Sequence, residues 1–388
     1  MDPADGTVQW VRDIPWAPSG RVSVHGDEQV LVAASSANGL DPSLVSVRGS
    51  DGAPLWQRFV TDAGTRPLVQ TDSTAVTADG EKVIAVDPGT GELRWSAEAG
   101  MDVDLISADG VVVVGSNSGA RVVDAMSGEE RWQRDLESGR GSILLTDGGV
   151  VIALDGDGDL VGLELTNGNE VWRTRAERPR FWSVRYDVVG DTAVVASSEE
   201  AADDAGGTRE WLNGIDTRTG EVRWTQRMEG SSYLTVIAGD LVIDDAGLHA
   251  VARDAHTGAE VWRFDTPGIK QVSQLTDDTV LIATTSAVTF SGVTLHALDA
   301  GNGAVMWTSE VPGVDISDPT VIGDTVVIGT SGDQQPTAAG MDGSITAVRL
   351  ADGATVWRTE VRDEVAERPV SSNGSVLALS ADQPLFCD

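Results

Sequence analysis

The spacing of the tryptophans is the feature that most constrains this chain. Nine of the 12 tryptophans stand four residues after a glycine that is itself preceded by Asp, Ser, Thr or Asn. These nine are Trp10, Trp56, Trp95, Trp132, Trp172, Trp224, Trp262, Trp307 and Trp357. Two columns that recur together so often cannot come from composition, so the chain contains an internal repeat of roughly 43 residues.

The local sequence of each repeat predicts β-structure. A small polar residue followed by glycine favours a tight hairpin turn, because glycine adopts a positive φ angle without strain. Apolar runs rich in β-branched residues lie on either side of the turns, as in Val83–Val86 and Val111–Val114. No segment shows a convincing apolar period of 3.6 residues. About four short strands in every repeat predict an all-β, closed β-propeller with four-stranded blades.

The number of blades follows from counting the repeats. Trp10 to Trp357 encloses eight complete repeats, and residues 358–388 and 1–10 together have the length of one more. We expect one domain over residues 1–388, whose terminal segments meet to close the ring and so protect their sheet edges. Eight blades are favoured, with one terminal hairpin outside the ring, and the motif count would also allow nine blades.

One repeat, Ala-Leu-Asp299-x-x-Asn-Gly303-x-x-x-Trp307, resembles the tryptophan-docking repeat of PQQ-like β-propellers. That family includes quinoprotein alcohol dehydrogenases and the outer-membrane assembly lipoprotein, and the resemblance extends over essentially the whole chain. The position four residues before the motif glycine, here called the aspartate column, also holds Asp87, Asp124, Asp216 and Asp254. Three repeats have another residue at this position: Arg48, Glu164 and Arg349. The resemblance implies that the tryptophans wedge between adjacent blades, a structural docking role for Trp56, Trp95, Trp132, Trp172, Trp224, Trp262, Trp307 and Trp357.

The same resemblance raises the possibility of an enzyme, a quinone-dependent dehydrogenase or a degenerate relative of one. Such enzymes hold PQQ with a tryptophan floor, a disulfide between adjacent cysteines, and a calcium ion bound by carboxylate and amide ligands. This chain has one cysteine, Cys387, so that disulfide is excluded, as is any multi-cysteine metal site. No cofactor is expected, and PQQ and calcium belong only to the dehydrogenase hypothesis. Whether the chain is an enzyme stays open, with a non-enzymatic role favoured.

The net charge limits the classes of partner. With 27 Lys+Arg against 61 Asp+Glu the chain carries −34, so binding to nucleic acid or to an anionic membrane surface is not expected. The chain contains no 18-residue apolar run, and residues 1–10 lack the basic and apolar regions of a signal peptide. We therefore expect no leader and no membrane insertion within this chain. The resemblance favours the cell envelope or secretion, and the sequence alone leaves the location open.

One segment has the spacing of a metal-binding loop. Asp155, Asp157 and Asp159 alternate as in the opening of a calcium loop, but position 6 is Leu160 and position 12 is Thr166. A solvated hairpin turn is therefore favoured over a metal site. The four histidines are scattered without zinc spacing, and no catalytic motif is present, so no catalytic or cofactor-binding residue is assigned.

A basic and aromatic cluster is the strongest candidate for partner binding. It follows Trp172, and we expect it to lie in the connection to the inner strand of the next blade. Arginine and aromatic side chains dominate the energetics of protein interfaces. An acidic insertion, 199–204, and three more long segments fall between second and third strands, which simple propeller geometry places on the same face. The candidate partner-binding residues are Arg175, Arg178, Arg180, Phe181, Trp182, Arg185 and Tyr186.

Together these observations predict a rigid, non-enzymatic propeller scaffold that binds a protein or a small ligand on its loop-bearing face. The arginines of the cluster could instead simply pair with nearby carboxylates in a solvated loop. Two further functions stay open for the whole chain, a quinone-dependent dehydrogenase and a sensor or assembly module of a cell-envelope complex. The assembly hypothesis rests on the resemblance, and the lipobox cysteine of the assembly lipoprotein has no counterpart at this N-terminus.

Overall fold

A computed structural model shows the architecture of the chain. It describes residues 1–9, 16–25, 29–36, 43–60, 68–71, 73–108, 110–136, 143–145, 148–175, 180–183, 188–200, 208–228, 235–245, 249–266, 268–285, 292–313, 316–331, 343–361, 369–372 and 375–378. Eight antiparallel sheets form the blades of a β-propeller, and in each sheet the strands pair in chain order. Within the described part of the chain, no helix is long and apolar enough to cross a lipid bilayer. The predicted all-β propeller with eight blades is confirmed.

Blades 1 to 4 have four strands each. Blade 1 contains β1 (Trp16–His25), β2 (Gln29–Ser36), β3 (Ser43–Arg48) and β4 (Pro54–Phe59). Blade 2 contains β5 (Leu68–Gln70), β6 (Ala75–Asp79), β7 (Lys82–Val86) and β8 (Leu93–Glu98). Blade 3 contains β9 (Asp104–Ala108), β10 (Val111–Ser116), β11 (Gly119–Asp124) and β12 (Glu130–Asp135). Blade 4 contains β13 (Ile143–Leu145), β14 (Val150–Leu154), β15 (Leu160–Glu164) and β16 (Glu170–Thr174).

Blades 5 to 8 follow the same plan, except that two short strands share the innermost position of blade 5. That blade contains β17 (Arg180–Ser183) and β18 (Val188–Val189), which both pair with β19 (Thr192–Glu200), then β20 (Thr208–Asp216) and β21 (Val222–Arg227). Blade 6 contains β22 (Thr235–Ala238), β23 (Leu241–Asp245), β24 (His249–Asp254) and β25 (Glu260–Asp265). Blade 7 contains β26 (Ile269–Thr276), β27 (Thr279–Thr285), β28 (Val293–Asp299) and β29 (Val305–Val311). Blade 8 contains β30 (Thr320–Ile322), β31 (Thr325–Thr330), β32 (Gly343–Arg349) and β33 (Thr355–Val361).

The first strand of each blade lies toward the centre of the ring and the fourth lies at its outer rim. First strands of neighbouring blades contact one another, as β5 does with β9 and β9 with β13. The second and third strands are covered on both faces by adjacent blades, and all six residues of β10 are buried. Strands buried on both faces have continuous apolar sequences, which explains runs such as Val111–Val114.

The motif tryptophans lie between blades. The indole Nε1 of Trp95 donates a hydrogen bond to the carbonyl oxygen of Ala125 in the next blade, at 3.0 Å. Its ring packs against Gly128, where a Cβ atom would lie 2.6 Å from the indole and where φ is +71°. The turn therefore needs glycine both for its backbone and for the ring. The same contact joins Trp56 to Gly91, Trp132 to Gly168, Trp172 to Gly220, Trp224 to Gly258, Trp262 to Gly303, Trp307 to Gly353 and Trp357 to Gly6. Trp10 lies outside the described residues.

Residues 1–9 and the last described residues, 369–378, lie between blade 8 and blade 1. A two-stranded hairpin, β34 (Val370–Ser372) and β35 (Ser375–Leu377), forms backbone hydrogen bonds with Met1 through Val376. Val376 packs in the apolar cluster around Trp357 of blade 8, and Val370 packs against the apolar cluster of blade 1. The hairpin is a two-stranded sheet of its own that belongs to none of the eight blades, and it covers apolar residues of both adjacent blades.

Candidate interaction face

Antiparallel pairing divides the connections of the propeller between two faces. First-to-second and third-to-fourth connections lie on one face, here called the turn face. For example, the amide of Ala125 donates to the carbonyl oxygen of Gly110. Second-to-third connections and the connections between blades lie on the opposite face, here called the loop face. The four long segments 37–42, 201–207, 286–291 and 332–342 each join the second and third strands of a blade. They lie outside the described residues, but the strands they join lead to the loop face.

The basic and aromatic cluster was expected in the connection between blades 4 and 5, but the structure places three of its residues in the inner strand of blade 5. Arg175 directly follows β16, and Arg180, Phe181 and Trp182 are part of β17, the inner strand of blade 5. Arg175 is exposed and has no ion-pair partner among the residues that the structure describes. The remaining cluster residues, Arg178, Arg185 and Tyr186, lie outside the described residues. The partner-binding role of the cluster stays a prediction.

The neighbouring Arg173 is held by carboxylates. Its guanidinium donates to Glu170 at 3.0 Å and to Asp155, and Asp159 lies 3.6 Å from it. These hydrogen bonds, from Glu170 first and then Asp155, raise the pKa of Arg173 above its usual range. Arg173 therefore pairs with nearby carboxylates, as the alternative to partner binding predicts for the arginines of this segment. The contact also joins the end of outer strand β16 to the second-to-third turn of blade 4. Both are expected on the loop face.

The alternating aspartates form a hairpin turn that its own backbone stabilises. The Oδ1 atom of Asp155 accepts hydrogen bonds from the amides of Asp157 at 3.0 Å and Asp159 at 2.9 Å, while its Oδ2 atom faces Arg173. Nowhere among the described residues do three His, Cys, Asp or Glu side chains cluster as metal ligands would. The contacts of Asp155 are those of a turn-capping residue paired with arginine.

Backbone hydrogen bonds tie the loop-face connections of blades 2 to 4 together. Asn117, in the second-to-third turn of blade 3, bonds Met101 twice: its amide donates to the carbonyl of Met101 at 2.9 Å, and its Oδ1 accepts from the amide of Met101 at 3.0 Å. The amide of Gly156 likewise donates to the carbonyl oxygen of Leu136. Each turn thus holds the connection that enters its blade.

On the turn face, an arginine joins two turns of blade 5. The Arg223 guanidinium donates to both carboxylate oxygens of Asp191, at 2.6 and 2.7 Å, and to Asp216. These hydrogen bonds hold the pKa of Asp191 far below its usual range. The pair is bidentate, which is the strongest geometry for arginine and carboxylate.

His256, in a turn of blade 6, meets this cluster across the blade interface. Its Nδ1 atom lies 3.1 Å from the hydroxyl of Thr192 and 3.6 Å from Asp191, and its Nε2 atom lies 3.8 Å from Asp240. In the sequence the four histidines are scattered, and sequence reasoning did not bring His256 and Asp191 together. The repeat register was the available signal, because the equivalent turns of adjacent blades are neighbours in a ring.

The family of the chain follows from its sequence. A family model described as outer membrane protein assembly factor BamB matches residues 1–115, 81–252 and 182–335, which is well over half of the chain. The chain belongs to this BamB-like family of PQQ-repeat propellers.

Curated relatives of the BamB-like chain carry the same description. The outer membrane protein assembly factor BamB of Nitrosomonas eutropha is 24% identical over 230 residues, which are 55% of this chain and 54% of the relative. BamB of Burkholderia pseudomallei is 28% identical over 201 residues, 47% of this chain and 49% of the relative. The alignments thus span about half the length of each curated relative, 54% and 49%.

Solved structures share the fold of this BamB-like chain. BamB from Moraxella catarrhalis is 20% identical, with a TM-score of 0.51 over 81% of this chain and 93% of that one. A quinohemoprotein alcohol dehydrogenase from Pseudomonas putida HK5 is 15% identical, with a TM-score of 0.52 over 97% of this chain and 72% of that one. At these identities the likeness shows the fold alone.

The described residues do not fit a quinone and calcium site. A calcium ion needs several converging oxygen ligands, and no such carboxylate cluster exists in the part of the chain that the structure describes. The eight described motif tryptophans are committed to blade contacts, since each indole nitrogen donates to a backbone carbonyl of the following blade or terminal segment. Cys387 lies outside the described residues.

Proposed function

We propose that this BamB-like propeller is a non-enzymatic scaffold that binds a protein partner on its loop face, as an assembly module of the cell envelope. The observation that carries the proposal is the position of the connections. The strands that flank all four lengthened second-to-third segments, and the outer strand that Arg175 follows, lead to the same face. Lengthened loops on one face of a repeat protein are typical of its binding face.

The charge distribution supports a protein partner for this face. The chain carries −34, yet five arginines lie between positions 173 and 185, and Arg175 is exposed without a partner among the described residues. Arginine in such a setting is suited to carboxylates of a partner protein, which it binds through two parallel hydrogen bonds. The names of the curated relatives, which are assembly factors for outer membrane proteins, support a role in envelope assembly.

Site-specific photo-crosslinking in the native cell tests this proposal. A photo-reactive residue at Arg175 should crosslink to one defined envelope protein, and the same residue at Arg131, beside the turn face, should not. The double variant R178E/R180E should lose that crosslink without a change in melting temperature. R218E/R358E makes the same charge change away from the loop face, at a turn-face residue and in the middle of an outer strand, and should keep it. A crosslink that survives R178E/R180E contradicts the proposal.

The dehydrogenase hypothesis has a separate test. Purified protein is mixed with PQQ and calcium, and the absorption spectrum and melting temperature are recorded. We expect neither to shift, because the described residues offer no calcium ligand cluster. A saturable shift in both measurements would restore the enzymatic reading.

A further inference from the structure

The outer strands of the eight blades can be compared position by position, because each carries one motif tryptophan. Residues alternate between the two faces of a strand, so the positions one before, one after and three after the tryptophan share the face opposite to the indole. At the third of these positions seven blades carry a charged residue: Glu98, Asp135, Arg175, Arg227, Asp265, Glu310 and Glu360. Blade 1 carries Phe59 there, and Phe59 is 67% exposed.

The whole of this face of β4 lacks charge. It consists of Leu55, which is 42% exposed, Gln57 and Phe59. Gln57 is held in place by a hydrogen bond from its side-chain amide to the hydroxyl of Ser43, at 3.0 Å. The corresponding face of each of the seven remaining outer strands has at least one charged residue. Charged side chains on edge strands hinder pairing with further strands, and this exposed face of β4 lacks that protection. The charge of β4 is on Arg58, which lies on the face of the indole and donates to the carbonyl oxygen of Gly91.

The backbone of β4 offers the matching hydrogen-bonding groups. On its inner side β4 pairs with β3, from Ser43 opposite Phe59 to Ser46 opposite Trp56. On its outer side no strand of the described chain pairs with it. In an antiparallel edge strand, alternate N–H and C=O groups therefore point outward and are available to an added strand.

We propose that the outer edge of β4 is a strand-addition site for an extended segment of a partner protein with uncharged, largely apolar side chains at alternate positions. Charge argues for this occupant. Two copies of a chain at −34 repel each other, which disfavours pairing between two β4 edges. A charged segment would find no opposite charge on Leu55, Gln57 or Phe59. This site lies on the outer rim and is separate from the loop face, so it does not rest on the proposed function.

A fluorescent peptide binding assay tests the site. The probe is a capped octapeptide of alternating valine and threonine, and binding is followed by fluorescence anisotropy. We expect the protein to bind the probe and L55R/F59E to bind it at least tenfold more weakly, with an unchanged melting temperature because both side chains are exposed. Peptides N-methylated at alternate residues, in both alternations, keep the side chains but lose one edge of hydrogen bonds. One of the two should fail to bind.

The control variant is M306R/T308E in blade 7, which introduces the same two charges into an outer strand that already carries Glu310. It should bind the probe as the native protein does. The proposal is overturned if the probe does not bind, if both variants weaken binding equally, or if both N-methylated peptides bind normally. Sedimentation equilibrium covers the remaining occupant: a native dimer that L55R/F59E converts to a monomer would assign the edge to a second copy and also overturn the proposal.

Discussion

Replacing Gly258 with alanine would separate the two reasons for which the blade turns need glycine. Gly258 has a φ of +69°, and a Cβ atom there would lie 2.7 Å from the indole ring of Trp224. Gly239, in another turn of the same blade, has a φ of +57°, but the nearest atom to its Cβ position is the carbonyl oxygen of Asp277, at 3.8 Å. The pair G258A and G239A therefore shares the backbone cost, and only G258A adds the contact with tryptophan.

The magnitudes follow from these contacts. A non-glycine residue in the left-handed region costs about 1–2 kcal/mol, and this is the whole expected effect of G239A. In G258A the methyl group must displace the buried indole of Trp224, and overpacking of this kind costs about 1–3 kcal/mol. Movement of the ring also weakens its 2.9 Å hydrogen bond to the carbonyl of Ala255, which is worth about 1 kcal/mol. We expect G258A to lose about 1–4 kcal/mol more than G239A.

Guanidinium chloride unfolding followed by circular dichroism measures the difference, provided that both variants keep the native slope. Exchange of the Trp224 indole proton, followed by NMR, gives a local check, and it should accelerate in G258A and stay unchanged in G239A. Equal stability losses in the two variants would show that backbone strain alone sets the cost. The docking contact between glycine and tryptophan would then add nothing to the free energy of unfolding.

Three further predictions concern polar contacts. R349D should lower the melting temperature slightly, since the new carboxylate would face Asp352. R349D/D352T should restore the melting temperature, because it recreates the Asp-x-x-Thr turn of blades 2, 5 and 6. Equal losses for both variants in thermal denaturation would contradict this. Asp191 has a folded-state pKa below its usual 3.8, so its charge stabilises the fold above that pH and the stabilisation is lost as the pH falls. D191N should therefore flatten the loss of stability between about pH 5 and pH 2 in denaturation series. N117A should cost about 1 kcal/mol and speed amide hydrogen exchange at Met101, whereas unchanged exchange would show that the backbone alone holds this connection.

The aspartate column shows how far sequence reasoning reaches. The three departures at Arg48, Glu164 and Arg349 indicate from sequence only that the column tolerates change. In the structure Arg48 pairs with Asp51 at 3.0 Å, and Arg349 pairs with Asp352 at 2.7 Å. Where the column holds aspartate, that carboxylate instead caps the turn by accepting backbone amides. The side-chain contacts of the turn thus differ between repeats that begin with arginine and repeats that begin with aspartate. In both kinds of repeat the glycine amide donates to the carbonyl oxygen of that first residue, so the turn keeps its shape.

The candidate interaction face was only partly accessible to sequence reasoning. The order of strands predicted the arginine cluster in the connection to the inner strand of blade 5, whereas Arg180, Phe181 and Trp182 are part of that strand itself. That Arg173 is held by Asp155 and Asp159 did not follow from the sequence, because a turn and a strand end that are 14 residues or more apart meet only in the folded blade. Both the sequence and the structure were needed to identify the uncharged edge of β4. The sequence shows Phe59 where other repeats have a charged residue, and the structure shows that Phe59 is exposed.

The tryptophan repeat determined the fold by itself. Its turns, strands and period are local properties, and a period of this length leaves few ways to bury the apolar face of each unit other than a ring of blades. Only the tertiary structure decided which residues of different units meet: His256 with Asp191 across blades 5 and 6, and Met1 with Val376 at the junction of the chain ends. Each of these contacts joins residues that are distant in sequence and is not repeated among the described residues of other blades. A periodic pattern in the sequence therefore cannot predict it.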